Sequence, residues 1–287
     1  MQENALAISG LTKRYTDFVL DNVTFHVPKG TIVGLIGENG AGKSTAIHAI
    51  LDLIKKDAGT VSILGKLEQE FDNSVREQIG VVFDGSNFPE VLTPRMLNKV
   101  LKNIYRSWDE PEFLNLMQRL SLPLNKKIQH FSKGMKMKLS IAVALSHHTR
   151  LLVLDEATSG LDPVMRDDIL DMLLDFVQDE ENAILVSSHI TSDLEKIADY
   201  IVFIHNGRVV FHKSKDELLY QYGIIKCGEA QFNAVDPKDM VAYRKQDYGY
   251  QVLVVDKAAA QKKYPKALID PATIDEIMLL YVKGESK

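Results

Sequence analysis

The stretch Ile32-Val33-Gly34-Leu35-Ile36-Gly37-Glu38-Asn39-Gly40-Ala41-Gly42-Lys43-Ser44-Thr45 decides how the chain reads. Its first five residues are a short apolar run of the kind that forms a strand buried on both faces. After it, Ile47, Ile50, Leu51 and Ile54 recur at spacings of three and four, which predicts a helix over Ser44–Lys56. Between strand and helix, residues 37–44 fit the spacing G-x-x-x-x-G-K-[ST]. Glycines 37, 40 and 42 let backbone N–H groups turn inward, and the helix N-terminus at Lys43–Thr45 adds partial positive charge. Such a cradle suits the phosphates of ATP or GTP. Lys43 reaches the β and γ phosphates, and the Ser44 hydroxyl ligates Mg²⁺. The expected nucleotide contacts run over Gly37, Glu38, Asn39, Gly40, Ala41, Gly42, Lys43, Ser44 and Thr45. The pattern alone leaves kinases, GTPases and other ATPases open.

Two further apolar runs end in polar residues. Leu151-Leu152-Val153-Leu154 leads into Asp155-Glu156. Adjacent carboxylates at the end of a buried strand need a compensating cation, and beside a phosphate loop that cation is Mg²⁺. Asp155 is then a metal ligand, and Glu156 orients and polarises an attacking water. The plainer alternative is an acid pair that caps a helix. Ala183–Ser187 leads into Ser188-His189, at the end of a strand where parallel sheets place their ligands. There His189 hydrogen-bonds the γ-phosphate and helps hold the water; alternatively it is an ordinary surface or core histidine.

The rest of the sequence bounds the answer. At ~150 residues per domain, 287 residues favour one large and one small domain. Apolar residues make up 45% and charged residues 25%, so a sizeable core forms and wholesale disorder is excluded. A net charge of −5 argues against bulk electrostatic binding of nucleic acid. Cys227 is the single cysteine, which excludes an intrachain disulfide and a thiolate metal cluster and suits a reducing cytosol. No apolar run reaches the ~18–20 residues of a membrane span. Met1-Gln2-Glu3-Asn4 lacks the basic and apolar regions of a signal peptide, so none is expected.

Short apolar runs alternate with longer amphipathic stretches, the pattern of a parallel sheet covered by helices. Residues from Thr93 to His148 read as largely helical, broken near Pro111 and Pro123. Asp162-Pro163 is a helix start, with Ile169, Met172, Leu173, Phe176 and Val177 as the buried stripe. Asn206-Gly207 between Tyr200–His205 and Arg208–His212 is a hairpin signal. Beyond Lys213–Tyr220 the motifs stop. The remainder predicts strands near Ile224–Lys226, Val241–Arg244 and Gln251–Val255, with helices near Lys257–Lys263 and Thr273–Val282.

In this order the motifs resemble those of the ATP-binding subunits of ABC transporters, over roughly residues 5–212. Residues 37–44 and 151–156 look like Walker A and Walker B. Phe131-Ser132-Lys133-Gly134-Met135 looks like the ABC signature, Ser159-Gly160-Leu161-Asp162 like the D-loop, and His189 like the switch histidine. The resemblance makes Tyr15 the aromatic that stacks on adenine. It implies an α/β P-loop NTPase of ABC type over residues 1–214, with a helical subdomain at about 86–148 and a small α+β C-terminal domain at 215–287. It also implies a head-to-tail dimer with itself or a homologous subunit. There Ser132 and Gly134 present a hydroxyl and an N–H to the other subunit's γ-phosphate.

Two motifs depart from the family pattern. The usual signature is Leu-Ser-Gly-Gly-Gln; Lys133 and Met135 replace a glycine and the glutamine. Asp84 stands where the Q-loop glutamine belongs, and is expected to contact the nucleotide site and ligate Mg²⁺, or to retune hydrolysis. Lys133 is expected at the nucleotide interface, and Lys136 and Lys138 on a solvated basic face. The stretch Phe83–Glu90, Ser107-Trp108-Asp109 and Ser132–Lys136 resemble the export branch that includes bacitracin-resistance and phenol-soluble-modulin-type exporters.

The implied function is an ATPase that drives export of peptides or antimicrobials. It is held at the inner face of the cell membrane by integral membrane subunits, with Phe88, Pro89 and Val91 as candidate contacts and no nucleic-acid partner. One alternative is a soluble ABC-type ATPase of DNA repair or translation. Against it, residues 84–132 are too short for a long coiled-coil arm, and one ATPase domain is present rather than two. The other alternative is an ATP-gated module that hydrolyses poorly because of Asp84.

Overall fold

A computed structural model of the chain describes residues 3–85 and 88–285. Ser86 and Asn87, within the stretch that suggested the export branch, lie outside the described residues. The first part runs β1 (Asn4–Arg14), β2 (Val19–Pro28), β3 (Ile32–Ile36), α1 (Lys43–Ile50), β4 (Ala58–Ile63), β5 (Lys66–Leu67), α2 (Asn73–Arg76) and β6 (Ile79–Val82). Three helices follow: α3 (Pro94–Ile104), α4 (Glu110–Arg119) and α5 (Lys133–Leu145). Next come β7 (Leu151–Asp155), α6 (Pro163–Phe176), β8 (Ala183–Ser188), α7 (Thr191–Ile197), β9 (Tyr200–His205) and β10 (Arg208–Ser214). The C-terminal part holds β11 (Gly223–Cys227), α8 (Glu229–Ala234), β12 (Ala242–Gln246), β13 (Gly249–Val254), α9 (Lys257–Lys263), β14 (Leu268–Pro271) and α10 (Ile274–Lys283).

The central sheet has the order β10-β9-β3-β8-β7-β6, parallel except for β10. Its inner strands are apolar on both faces because each face has its own core. Ile32 and Ile36 of β3, Leu152 and Leu154 of β7, and Ile184 and Val186 of β8 face the core shared with the helices. The alternate residues Val33, Leu35, Leu151, Val153, Ala183 and Leu185 face a second core. That core is covered by the antiparallel sheet β2-β1-β4-β5 and by α1. The period-two alternation of a strand thus feeds two layers. Since β3, β7 and β8 run parallel, their carboxyl ends emerge side by side.

Local signals act as read. Asp162 accepts a hydrogen bond from the Met165 N–H (3.0 Å) and starts α6. Asn206 and Gly207 turn the β9–β10 hairpin with φ of 47° and 74°, as a type I′ turn requires. One expectation fails. The first helix ends at Ile50 rather than near Lys56, because Asp52 adopts left-handed φ 57° and redirects the chain. Asp57 N–H then joins the Thr12 carbonyl at 2.8 Å. The helical stretch is broken near Pro111 as expected, between α3 and α4, and Pro111 opens the second of the two. It sits in the first turn of α4, where its missing N–H costs nothing, behind the Asp109 cap.

The C-terminal sheet, β12-β13-β11-β14, includes β14, and with α8 this strand was absent from the sequence expectation. The sheet has a small core around Ile225, Phe232 and Val252, where burial raises the Cys227 thiol above its ordinary pKa. Its other face is continuous with the helical core through Leu218, Tyr222, Ile274, Ile277 and Leu280. Tyr281 of α10 meets Phe203 and Phe211 at centroid distances of 6.4 and 5.6 Å. The segment is therefore fastened to the central sheet.

His212 on β10 lies against His26, with ring centroids 4.5 Å apart, and its buried Nε2 has no hydrogen-bond partner. Burial first, and the neighbouring His26 second, lower its pKa from 6.5 to about 4. Between those values the unfolded chain binds the proton and the folded chain does not. Its contribution to stability is therefore complete above pH 6.5 and is lost as pH falls towards about 4. Melting temperature is expected to fall less steeply across that window in His212→Phe than in the parent. Equal slopes in thermal melts would remove His212 from that role.

Candidate active site

Gly37 to Gly42 connect β3 to α1. A Cβ on Gly37 would lie 2.4 Å from the Ile204 carbonyl oxygen, so only glycine lets the loop pass β9. Gly42 has φ 110°, and a Cβ there would sit 2.9 Å from the Phe18 ring. Thr93, Asp109, Ser132 and Asp162 cap α3 to α6 with side-chain oxygens, whereas α1 starts from Gly42, which has none. The first N–H groups of α1 are thus presented to an anion rather than to a side chain.

Lys43 turns back over the loop. Its Nζ donates to the Gly37 carbonyl at 2.8 Å and the Glu38 carbonyl at 3.3 Å, and lies 3.3 Å from Glu156 Oε1. Glu156 follows β7 in a left-handed conformation, φ 53°, which is uncommon for a residue with a Cβ and tends to occur at active sites. Its backbone N–H donates to Ser187 Oγ at 3.0 Å. Its other carboxylate oxygen lies 2.5 Å from His189 Nδ1. Asp155 is 8% exposed and accepts from Ser187 Oγ at 2.5 Å. Ser187 therefore holds both acids at the carboxyl end of β7, and the sequence reading missed it. Its signal was the small polar pair Ser187-Ser188 ending an apolar strand before a histidine.

A cleft of about 590 Å³ gathers Asn39, Gly40, Gly42, Lys43, Ser44 and Thr45 of the loop with Asp84, Glu156, Ser159 and His189. Ala41 is buried beneath the loop, its carbonyl accepting from Gly207 N–H at 3.0 Å, and Glu38 faces His205 at 3.8 Å. The aromatic ring in the lining is Phe18, not Tyr15. Tyr15 N–H donates to the Phe18 carbonyl at 2.8 Å across the turn between β1 and β2. Tyr15 is left 47% exposed, with Lys13 Nζ 5.4 Å from its ring centre. A larger groove of about 830 Å³ lies in the C-terminal sheet beside Lys226, Arg244 and Tyr248, but it brings no acid–base pair or phosphate loop together.

Ser132 and Gly134 lie apart from this lining, at the start of α5. Ser132 Oγ accepts from Met135 N–H at 3.2 Å. Gly134 is seated on α6, where a Cβ would be 1.7 Å from Met165 Sδ. The basic residues of α5 are not simply solvated: Lys136 pairs with Glu90 at 2.6 Å and Lys138 with Asp168 at 2.9 Å. Asp84 is engaged by Lys133 at 2.8 Å rather than by other oxygen ligands. Among the described residues, no three His, Cys, Asp or Glu side chains converge as a metal cage. An ion at this loop would instead be held by few protein oxygens, as suits Mg²⁺. The Ser44 hydroxyl and the buried Asp155 carboxylate fit that chemistry.

The pattern of the ABC transporter family matches residues 20–159. The lantibiotic transport ATP-binding protein SrtF of Streptococcus pyogenes is 34% identical over 74% of this chain and 91% of its own length. The bacitracin transport ATP-binding protein BcrA of Enterococcus faecalis is 32% identical over 76% of this chain and 72% of its own length. Among solved structures, an ATP-binding subunit of an ABC transporter superposes with a TM-score of 0.66 at 32% identity. That match covers 75% of this chain and 91% of the other.

Proposed function

We propose, on the premise that this chain belongs to the ABC transporter family as an ATP-binding subunit, that it powers export of a peptide or antimicrobial cargo across a membrane. The chain is an ATPase, and ATP is its substrate. The observation that carries the residue assignments is the convergence of Lys43, Glu156 and His189 in one cleft.

The loop N–H groups and Lys43 bind the phosphates. Lys43 now bonds loop carbonyls and Glu156, so it exchanges those partners for phosphate oxygens without crossing the site. Glu156 accepts a proton from the attacking water as general base. His189 holds the Glu156 carboxylate and reaches the γ-phosphate side of the cleft. Mg²⁺, held by Ser44 and Asp155, would neutralise charge on the β and γ phosphates. Tyr15 and Phe18 are the two candidates for the adenine ring, and the cleft lining favours Phe18. Asp84 acts as the charge partner of Lys133, 2.8 Å away, in the free subunit.

Ser132 and Gly134 complete a second subunit's site in a head-to-tail dimer, whether of this chain or a homologue. The division into residues 1–214 and 215–287 follows the motifs, with the latter an accessory domain. Among the described residues no helix is long and apolar enough to cross a membrane. Integral membrane subunits supply the pore and hold the chain at the cytoplasmic face. Val91, 64% exposed, and the exposed Pro89 beside half-buried Phe88 are the docking contacts.

Capture of the full chain from detergent-solubilised membranes tests this reading. An integral membrane protein is expected to accompany it, and bacitracin-like or lantibiotic-like peptides are expected to raise ATP turnover of the complex. A chain that hydrolyses ATP but brings no membrane protein with it would overturn the exporter assignment.

A further inference from the structure

Two of the departures from the family pattern touch each other. Asp84, in the glutamine position after β6, lies 2.8 Å from Nζ of Lys133, in a glycine position of the signature. We propose that Lys133 is a shared cation: in the free subunit it pairs with Asp84 of its own chain, and in the ATP-closed dimer it leaves that carboxylate for the γ-phosphate bound by the other subunit. The proposal rests on the head-to-tail dimer described above and adds an exchange that couples the two ATP sites.

Lys133 is the first residue of α5, where the helix carries partial positive charge. A cation is misplaced there unless an anion compensates it. Asp84 supplies that anion within one chain. The same turn carries Ser132 and Gly134, which face the second subunit's phosphate in the proposed dimer. The γ-phosphate is therefore the competing anion at the same spot.

The geometry leaves the exchange open. The two side chains are 46% and 51% exposed, and an ion pair that accessible biases the equilibrium by at most about fivefold. A phosphate with more than one negative charge, enclosed between two subunits, is the stronger partner. Gly160 of the D-loop borders the ammonium, the position of a Cβ there lying 3.4 Å from Nζ. A second tie, Lys136 to Glu90 at 2.6 Å, keeps the segment after β6 attached to α5 when the first opens. Asp84 lines the cleft that holds Lys43 and Glu156. When Lys133 departs, the freed carboxylate adds negative charge to its own subunit's site. ATP in one site thereby changes the charge in the other.

The test uses the full chain carrying Glu156→Gln to slow hydrolysis, with ATP-dependent dimerisation read by analytical ultracentrifugation. Lys133→Met is expected to weaken the dimer roughly tenfold, through loss of a charge-assisted contact to phosphate. Asp84→Asn is expected to strengthen it by up to about fivefold, because the competitor is removed. Lys133→Arg should restore the parent behaviour, and with ADP no difference should appear. A tie that is merely structural moves both substitutions in the same direction. Same-direction shifts, or none, overturn the exchange while leaving the dimer intact. A parent that does not associate with ATP overturns the dimer reading and this one together. Thermal melts check folding, and Lys133→Gln with Asp84→Ser form a second pair if either first variant does not fold.

Discussion

Glu156→Gln is expected to reduce ATP turnover by about 10²–10⁴-fold, the usual contribution of a positioned general base. Glutamine keeps the length of the side chain and its place beside His189 but cannot take a proton from water. The Glu156 carboxylate lies 3.3 Å from Lys43 and 2.5 Å from His189, so the substitution replaces one charged group at the centre of the cleft and moves little else. Its backbone stays anchored through the N–H bond to Ser187 Oγ at 3.0 Å. ATP binding should persist, and the ATP-bound dimer should accumulate because it no longer resolves. Phosphate release at saturating ATP, together with sedimentation in ATP, checks both halves. Turnover within a few-fold of the parent would take the role of base away from Glu156.

Lys43→Ala is expected to weaken ATP binding by about 10–150-fold, the value of one hydrogen bond between charged groups. The Lys43 side chain is only 6% exposed, so its ammonium has been withdrawn from water and its replacement partners are fixed. Two are loop carbonyls and one is Glu156. Removing the ammonium leaves Glu156 without its nearest cation beside incoming phosphates, which adds repulsion to the lost attraction. Titration with a fluorescent ATP analogue reads the affinity directly. An unchanged dissociation constant would overturn the phosphate-loop assignment.

Much of the site was legible because its signals are local. A strand, a glycine-bearing turn and a helix start occupy 14 consecutive residues, 32–45, and their spacing reflects what a backbone must do to surround phosphate. Asp155-Glu156 and Ser188-His189 were visible for a similar reason: a short apolar run that ends in polar groups marks the end of a buried strand. What spacing did not carry was which aromatic lines the cleft. Tyr15 and Phe18 are three residues apart, and only the turn between β1 and β2 decides that Phe18 joins the cleft. The first helix was read too long because Ile54 keeps the apolar period after the backbone has already turned at Asp52.

By itself the sequence determined the ordered motifs, the parallel sheet and the ATPase family, since each depends on residues adjacent in the chain or on a period repeated along it. The tertiary structure alone decided which distant groups meet. Ser187 holds Asp155 from 32 residues away, Lys133 finds Asp84, and Tyr281 of the C-terminal helix closes on Phe203 and Phe211. Such contacts depend on how three sheets and their helices stack, because side chains brought together by packing carry no spacing along the chain that could announce them.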